Sequence, residues 1–459
     1  MREFDAIVIG TGQAGPALAN RLTEAGMQVA VIERGRFGGT CVNTGCTPTK
    51  TLVASAYAAQ MVRRASEYGV MIDRGAVIDM KKVRARKQEI SGRSSTGVER
   101  WLKDNPRCTV HEGHARFVGR RQVSVGRETL TAERVFINVG GRALVPAILG
   151  LDQVNYLTNS SILELDFVPP HLIVVGGSYI GLEFAQVFRR FGSEVTVLEM
   201  APRLIPREDE DTSAAVTDIL TQEGITVHTN VRSLEVGKRN NAVSVAMQGT
   251  EGAREVVGTH ILVAVGRRPN TDDLGLDAAG ITTDPRGYIE VDDLLQTSAP
   301  GVWALGDCNG KGAFTHTAYN DFEIVASNLL DNDTRRVSDR ILSYNLYTDP
   351  PLGRIGLTEA EVRKSGRKAL IATRAMANVS RAVEKGESQG FMKVLVDAET
   401  KQILGASILG VGGDEVIHAL LTLMYARAPC TVMQRAMFNH PTVSELLPTM
   451  LGSLKPLQG

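Results

Sequence analysis

An α/β chain with two dinucleotide-type βαβ units and a separate C-terminal α+β domain is predicted by three observations. A pattern of strand, glycine turn, helix and strand occurs at residues 5–33 and recurs at 171–199. From about residue 341 the texture changes, and apolar strand segments flank short turn-forming stretches. A length of 459 residues is also too great for one hydrophobic core and suggests several domains.

In the first unit, Ala6-Ile7-Val8-Ile9 reads as a buried strand and Gly10-Thr11-Gly12-Gln13-Ala14-Gly15 as the turn that opens a helix. Gly10, Gly12 and Gly15 let the backbone turn tightly and come close to a pyrophosphate at the helix N-terminus. Glu33 closes the second strand, where its carboxylate can accept from a ribose hydroxyl. The second unit repeats this plan with Leu172-Ile173-Val174-Val175, then Gly176-Gly177-Ser178-Tyr179-Ile180-Gly181, and Glu199 after Val195-Thr196-Val197-Leu198. Ser178 stands where the middle glycine is usual. An acid at Glu199 repels a 2′-phosphate, so NADH is expected ahead of NADPH, while the nearby Arg203 keeps NADPH possible.

Further strands are expected between 211 and 300, among them Ile261-Leu262-Val263-Ala264-Val265. In the C-terminal region, Phe391-Met392-Lys393-Val394-Leu395-Val396 and Ile403-Leu404-Gly405-Ala406-Ser407-Ile408 flank the turn Asp397-Ala398-Glu399-Thr400. An apolar helix follows from Val416 to Tyr425. That is the signature of an antiparallel sheet with helices.

Composition narrows the partners. Fifty-one basic residues balance fifty-one acidic ones, so no overall field recommends nucleic acid or an anionic membrane. The apolar run at the N-terminus is too short for a secretory signal, and no run of about 18 apolar residues could span a bilayer. A cytoplasmic location is the expectation. Five cysteines make an odd, small set that argues against a secretory disulfide framework. Cys108, Cys308 and Cys430 have no sequence partner and read as small core or surface residues.

Cys41 and Cys46 stand apart in Gly38-Gly39-Thr40-Cys41-Val42-Asn43-Thr44-Gly45-Cys46-Thr47-Pro48-Thr49-Lys50. Thr47-Pro48 before a long alanine-rich segment marks a helix start. Cys46 at that start would favour thiolate over thiol, as an electron-relaying dithiol requires. A zinc half-site or two buried structural thiols are the alternatives. Neither explains the glycine-rich surroundings, no second Cys or His pair stands at zinc spacing, and no metal ligand set is assigned.

With these motifs the chain resembles the flavoprotein disulfide reductases, the family of dihydrolipoamide dehydrogenase, glutathione reductase and mercuric reductase. The resemblance continues through Gly181-Leu182-Glu183, Val265-Gly266-Arg267-Arg268-Pro269-Asn270, Ala304-Leu305-Gly306-Asp307 and His440-Pro441-Thr442-Val443-Ser444-Glu445. It implies bound FAD, with 1–147 and 271–340 forming the flavin-binding parts, 148–270 the NAD(P)H-binding domain and 341–459 the dimerisation domain. Asp307 would hold the ribityl or pyrophosphate region of the flavin. Lys50 would approach the flavin ring with Glu183 as its partner, Tyr179 would shield the ring until nicotinamide enters, and Arg267 would contact the nicotinamide nucleotide. For Asp272, a helix cap is one reading among others, and it is assigned no site role.

The same resemblance implies a homodimer in which His440 and Glu445 come from the partner subunit, His440 as the base and Glu445 as its orienting carboxylate. Cys46 would then hold the thiolate nearer the flavin, and Cys41 would be the interchange thiol that meets the acceptor. For that acceptor, the final residues Gly452 to Gly459 lack the vicinal cysteines of mercuric reductases, and Thr47 replaces the aliphatic residue usual in dihydrolipoamide dehydrogenases. Asp349-Pro350-Pro351-Leu352-Gly353-Arg354-Ile355-Gly356 and Leu446-Leu447-Pro448-Thr449-Met450 resemble a mercuric-reductase-like branch instead. A small disulfide or a thiophilic metal ion such as Hg(II) or Cu(II) is therefore the expected acceptor, with dihydrolipoamide dehydrogenase as the alternative. A non-enzymatic flavin redox sensor is the reading from another class.

Overall fold

A computed structural model describes residues 1–73, 75–240, 242–249 and 252–458; the last residue of the terminal segment quoted above, Gly459, lies outside the described residues. Strand β1 (Arg2–Ile9) leads through the first glycine turn into α1 (Gly15–Glu24) and β2 (Val29–Glu33). The cysteine segment then forms α2 (Gly39–Thr44) and α3 (Cys46–Arg63), followed by α4 (Met80–Lys103) and strands β3 (Cys108–Glu112), β4 (Ala115–Gly119), β5 (Gln122–Val125) and β6 (Glu128–Ile137). The sheet runs β3-β2-β1-β6-β5-β4, with β1 parallel to both β2 and β6. Both faces of β1 are covered. Ala6 and Val8 pack on α1, whereas Ile7 and Ile9 pack on the other side against Phe117, Val123 and Leu130. Burying each large apolar side chain contributes about 1.5–3 kcal/mol, so the register that carries the glycine turn is firmly set.

The second unit begins after β7 (Gly141–Ala143) and β8 (Tyr156–Leu157). It comprises β9 (His171–Val175), α5 (Tyr179–Phe191), β10 (Glu194–Leu198), α6 (Glu210–Gln222) and β11 (Thr226–His228). A three-stranded antiparallel sheet follows, β12 (Ser233–Arg239), β13 (Ala242–Gly249) and β14 (Gly252–Gly258), before the chain returns to the parallel sheet in β15 (His260–Val263). The parallel order is β11-β10-β9-β15-β8. Leu172 and Val174 face α5, and Ile173 and Val175 face the antiparallel layer. The strand expected over 261–265 thus starts at His260 and stops at Val263, because Gly266 turns the chain at positive φ.

After β16 (Arg267–Pro269) and the short α7 (Leu276–Ala279), β17 (Val302–Ala304) joins the first sheet parallel to β6, and α8 (Thr315–Leu330) packs on α1 beneath it. The first sheet is therefore completed by a segment far along the chain. Asp272 caps no helix: α7 starts after Gly275, and the carboxylate of Asp272 instead pairs with Arg142 at 2.6 Å and with Arg268. Two guanidiniums within reach outcompete a four-residue helix for one acceptor.

The C-terminal region contains β18 (Ser343–Leu346), β19 (Leu352–Gly356), α9 (Glu359–Lys364), β20 (Ala369–Ala375), α10 (Ser380–Glu384), β21 (Phe391–Asp397), β22 (Ile403–Leu409), α11 (Gly413–Tyr425), α12 (Thr431–Gln434), α13 (Leu446–Leu451) and β23 (Lys455–Pro456). Its antiparallel sheet runs β18-β19-β22-β21-β20-β23. A Cβ on Gly353 would lie 2.4 Å from the Gly413 carbonyl, so this glycine lets α11 seat on β19, three residues earlier than the expected start at Val416.

A buried ionic seam joins this sheet to the start of α6. Lys393, 1% exposed at its side chain, lies 3.0 Å from Asp209, 2.7 Å from Asp211 and 3.4 Å from Glu359. Fully buried Arg354 lies 3.5 Å from Asp209 and 4.0 Å from Glu208. Among the described residues no helix is long and apolar enough to cross a membrane.

Candidate active site

The two glycine turns are built as pyrophosphate cradles. Gly10 has φ near +100°, and a Cβ there would fall 2.4 Å from the Asn138 carbonyl; a Cβ on Gly15 would fall 2.2 Å from the Gly10 carbonyl. In the second turn a Cβ on Gly181 would meet the Gly176 carbonyl at 2.0 Å. Neither α1 nor α5 is capped by a side chain, since Ala14 and Ser178 at the cap positions supply none. Apart from Gly15 N, which donates to Asn138 Oδ1, no side chain takes the backbone N–H groups at these two helix starts, and they are left for an anionic ligand.

Each acidic strand end braces its own turn. Glu33 Oε2 accepts from Thr11 N at 2.9 Å and Thr11 Oγ1 at 2.6 Å, and its Oε1 accepts from Gly35 N at 2.8 Å. Glu199 accepts from Gly177 N at 2.6 Å and Ala201 N at 2.7 Å. A carboxylate has about four lone-pair sites, so both retain capacity for a ribose hydroxyl. Arg203 donates to the carbonyls of Pro206 and Glu208 at 3.4 and 3.3 Å, which ties its guanidinium to its own loop.

Asp307 sits just beyond β17, close to the first cradle. Burial pushes its carboxyl upward, and Arg267 opposes that push with Nε at 3.5 Å from Oδ2. Arg267 also donates to the Gly141 carbonyl, so it faces the flavin side of the molecule rather than the second glycine turn. Asn138, which the motifs did not single out, joins the pieces: Oδ1 accepts from Gly15 N at 3.0 Å and Nδ2 donates to the Leu305 carbonyl at 3.0 Å. Its only sequence signal is a polar residue ending the apolar β6. The glycine cradle, the free helix start and this polar rim fit a dinucleotide flavin.

The cysteines lie at the junction of α2 and α3. Cys46 is the first residue of α3, and a Cβ on Gly45 between the helices would meet the Thr40 carbonyl at 2.9 Å. Both thiols are free. A hydrogen bond from Cys41, another from Thr315 and the charge of Lys50 bring Cys46 down to about 6, against the resistance of burial and Glu183. The same shared hydrogen bond, with burial, pushes Cys41 far above the ordinary thiol range. Thr315 Oγ1 stands 3.3 Å from Cys46 Sγ although it begins α8, and nothing in the local sequence marks it.

One turn further along α3, Lys50 Nζ donates to both oxygens of Glu183 on α5, at 3.0 and 2.7 Å. Glu183 is 5% exposed at its side chain and Lys50 32%. The pair is completed by Tyr347, whose N–H donates to Glu183 Oε1 at 3.1 Å and whose ring lies 4.7 Å from Lys50 Nζ. Tyr179, at the start of α5, packs edge-on against Phe314 and Tyr344, and its buried hydroxyl has no hydrogen-bond partner. Each edge contact is worth about 0.5–1.5 kcal/mol, while an unpaired buried hydroxyl costs about 1–3 kcal/mol, so the ring is held with little net preference.

His440 and Glu445 form a pair before α13. Nδ1 lies 3.0 Å from both carboxylate oxygens, which leaves Nε2 pointing away from its own carboxylate. Glu445 is 16% exposed and His440 73% at the side chain, so on one chain the imidazole faces outward. The remaining cysteines stay out of the site. Cys308 and Cys430 are buried, and burial raises the thiols of Cys108, Cys308 and Cys430.

Two dinucleotide cradles, a polarised dithiol and an ammonium paired with a buried carboxylate define an oxidoreductase that moves electron pairs between a nucleotide cofactor and sulfur. The comparisons with known proteins agree. Residues 4–321 match the pyridine nucleotide-disulphide oxidoreductase model and 343–451 match the dimerisation domain of the same enzymes. The chain belongs to the pyridine nucleotide-disulphide oxidoreductase family. Membership makes it an FAD-containing, pyridine nucleotide-dependent oxidoreductase with a redox-active disulfide.

Among its relatives is the probable pyridine nucleotide-disulfide oxidoreductase RclA of Escherichia coli, 35% identical over 99% of this chain and 100% of that protein. A mercuric reductase of Streptomyces lividans is 34% identical over 97% and 94%, and a dihydrolipoyl dehydrogenase of Thermus scotoductus is 32% identical over 97% and 96%. Among solved structures, the Cu(II) complex of the HOCl-induced flavoprotein disulfide reductase RclA of Escherichia coli superposes with a TM-score of 0.90 at 34% identity, covering 98% of this chain and 99% of that one.

Proposed function

We propose that the chain draws electrons from NADH to reduce a small disulfide or a thiophilic metal ion, Hg(II) or Cu(II), at Cys41 and Cys46, as a homodimer whose active sites are shared between subunits. The observation that carries this reading is the cysteine pair at the α2–α3 junction, where Cys46 opens α3 with Thr315 Oγ1 at 3.3 Å from its sulfur and the Lys50–Glu183 pair one turn on. FAD, when bound, supplies the two-electron exchange between nicotinamide and sulfur. Residues 1–147 and 271–340 hold it through Gly10, Gly12, Gly15, Glu33 and Asp307, while 148–270 take the nicotinamide nucleotide at Gly176, Ser178, Gly181 and Glu199, with Arg267 between them. Lys50, fixed by Glu183, presents its ammonium to the flavin ring, and Tyr179 covers that ring until nicotinamide enters.

Cys46 holds the thiolate and Cys41 meets the acceptor. Because Cys41 holds its proton tightly, it needs a base. The partner subunit's His440, oriented by the partner subunit's Glu445, takes that proton, with residues 341–459 forming the dimer contact. The outward-facing imidazole and the matched dimerisation domain support this arrangement. NADH is favoured over NADPH by the Glu199 carboxylate and by the engagement of Arg203 in its own loop. A metal or disulfide acceptor is favoured by the likeness to RclA, known as a Cu(II) complex, and to a mercuric reductase.

Steady-state oxidation of NADH and NADPH with lipoamide, oxidised glutathione, Hg(II) and Cu(II) tests the proposal. Turnover with a metal ion or glutathione, and a kcat/KM at least about tenfold higher for NADH, is expected. Dominant turnover of lipoamide would assign the chain to the dihydrolipoyl dehydrogenases. Failure of every acceptor would leave a redox sensor.

A further inference from the structure

Three aromatic rings from distant segments meet beside the nicotinamide side of the site. Tyr344 on β18 stands edge-on to Tyr179, with centroids 5.4 Å apart and planes at 81°, and Phe314 before α8 does the same at 6.3 Å and 90°. Phe314 and Tyr344 stack on one another at 5.6 Å and 14°. Tyr179 therefore rests in a seat with two walls. The Tyr344 wall is anchored at its tip, where Oη donates to Glu208 Oε1 at 2.5 Å with both residues buried. Burial and the adjacent Glu208 carboxylate push the Tyr344 hydroxyl far above the phenol range, so it remains the donor.

The Tyr179 hydroxyl is buried beside this bond without a well-formed hydrogen bond of its own, and its one polar neighbour in the seat is the Tyr344 hydroxyl, whose proton goes to Glu208. Leaving the seat costs Tyr179 two ring contacts and gains its hydroxyl the hydrogen bonds of water. The firmness of the walls then decides which side wins. We propose that Tyr344, anchored by Glu208, is a positioning residue that sets how readily Tyr179 yields to nicotinamide. This rests on the reading of Tyr179 as the flavin cover. It assigns a part in cosubstrate admission to the C-terminal sheet.

The test uses the FAD holoenzyme and compares Tyr344→Phe, Glu208→Gln, Glu208→Ala and Tyr179→Gly. The NADH concentration that half-saturates flavin reduction is read by stopped flow, and flavin accessibility by iodide quenching of its fluorescence. Tyr344→Phe keeps the ring but frees its tip. A half-saturating concentration about fivefold lower and a matching rise in quenching are expected, with no change in reoxidation of the pre-reduced enzyme by acceptor. Glu208→Gln keeps an acceptor oxygen and should behave as the wild type, whereas Glu208→Ala should reproduce Tyr344→Phe in both readouts at a lower stability, because it also strips a carboxylate from beside buried Arg354.

In a Tyr179→Gly background Tyr344→Phe should add nothing. Unchanged NADH dependence and quenching in both Tyr344→Phe and Glu208→Ala would overturn the proposal. So would an undiminished effect in the Tyr179→Gly background. If Tyr179→Gly alone changes neither readout, it is the flavin-cover reading of Tyr179 that fails.

Discussion

Cys41 and Cys46 lie on two helices joined at Gly45, yet the junction treats them as different chemicals. Cys46 begins α3, where helix N–H groups, the Thr315 hydroxyl and the Lys50 ammonium all favour negative charge. Cys41 sits inside α2 and spends its proton on its neighbour. The difference teaches that a dithiol acquires direction from which of its thiols receives the hydrogen bonds and the nearby cation, and on the proposed reading the other thiol then needs a base.

The comparison breaks most visibly at that base. His440→Ala should lower turnover with a disulfide acceptor about 10²- to 10⁴-fold while leaving the rate of flavin reduction by NADH intact. Retention of wild-type turnover would mean that Cys41 ionises unaided. Next in size is the pair of serine substitutions. Both abolish disulfide reduction, but with the flavin oxidised only Cys41→Ser should show a long-wavelength thiolate–flavin absorbance at neutral pH. The reverse pattern would exchange the two roles.

In the wild type that absorbance should titrate near pH 6. A depressed thiol pKa means that the thiolate is present above this pH and is lost as acid carries the solution through it. Lys50→Met removes a cation and leaves buried Glu183 uncompensated, so the midpoint should rise by about one unit or more. Thr315→Val removes one hydrogen bond and keeps the shape, and a rise of about half a unit is expected. A midpoint unmoved by both would place the cause in the Cys41 hydrogen bond and the helix start.

Much of this site could be read along the chain because its parts are local. The glycine turns, their closing acids and a cysteine just before Thr47-Pro48 each fall within one short segment, and the structure places them where the pattern implied. Thr315, Asn138, Tyr347 and Tyr344 were not legible. Each acts on a residue more than a hundred positions away, through contacts that exist only once β17, α8 and β18 have packed. Asp272 shows the opposite error, since local propensity suggested a cap and two arginines from β7 and β16 claimed the carboxylate. The helix expected from Val416 starts at Gly413 because glycine, a poor helix former, is tolerated where two backbones touch.

The seam between α6 and the C-terminal sheet bears on how a cosubstrate gets in. Arg354 and Lys393, both buried, are held against buried Glu208 and Asp209, and sliding one side past the other would strand a charge in the interior at about 3–5 kcal/mol. Shear between these layers is thereby suppressed. On the proposed reading of Tyr179, nicotinamide enters a framework that does not open like a jaw, and the moving part is reduced to a single side chain.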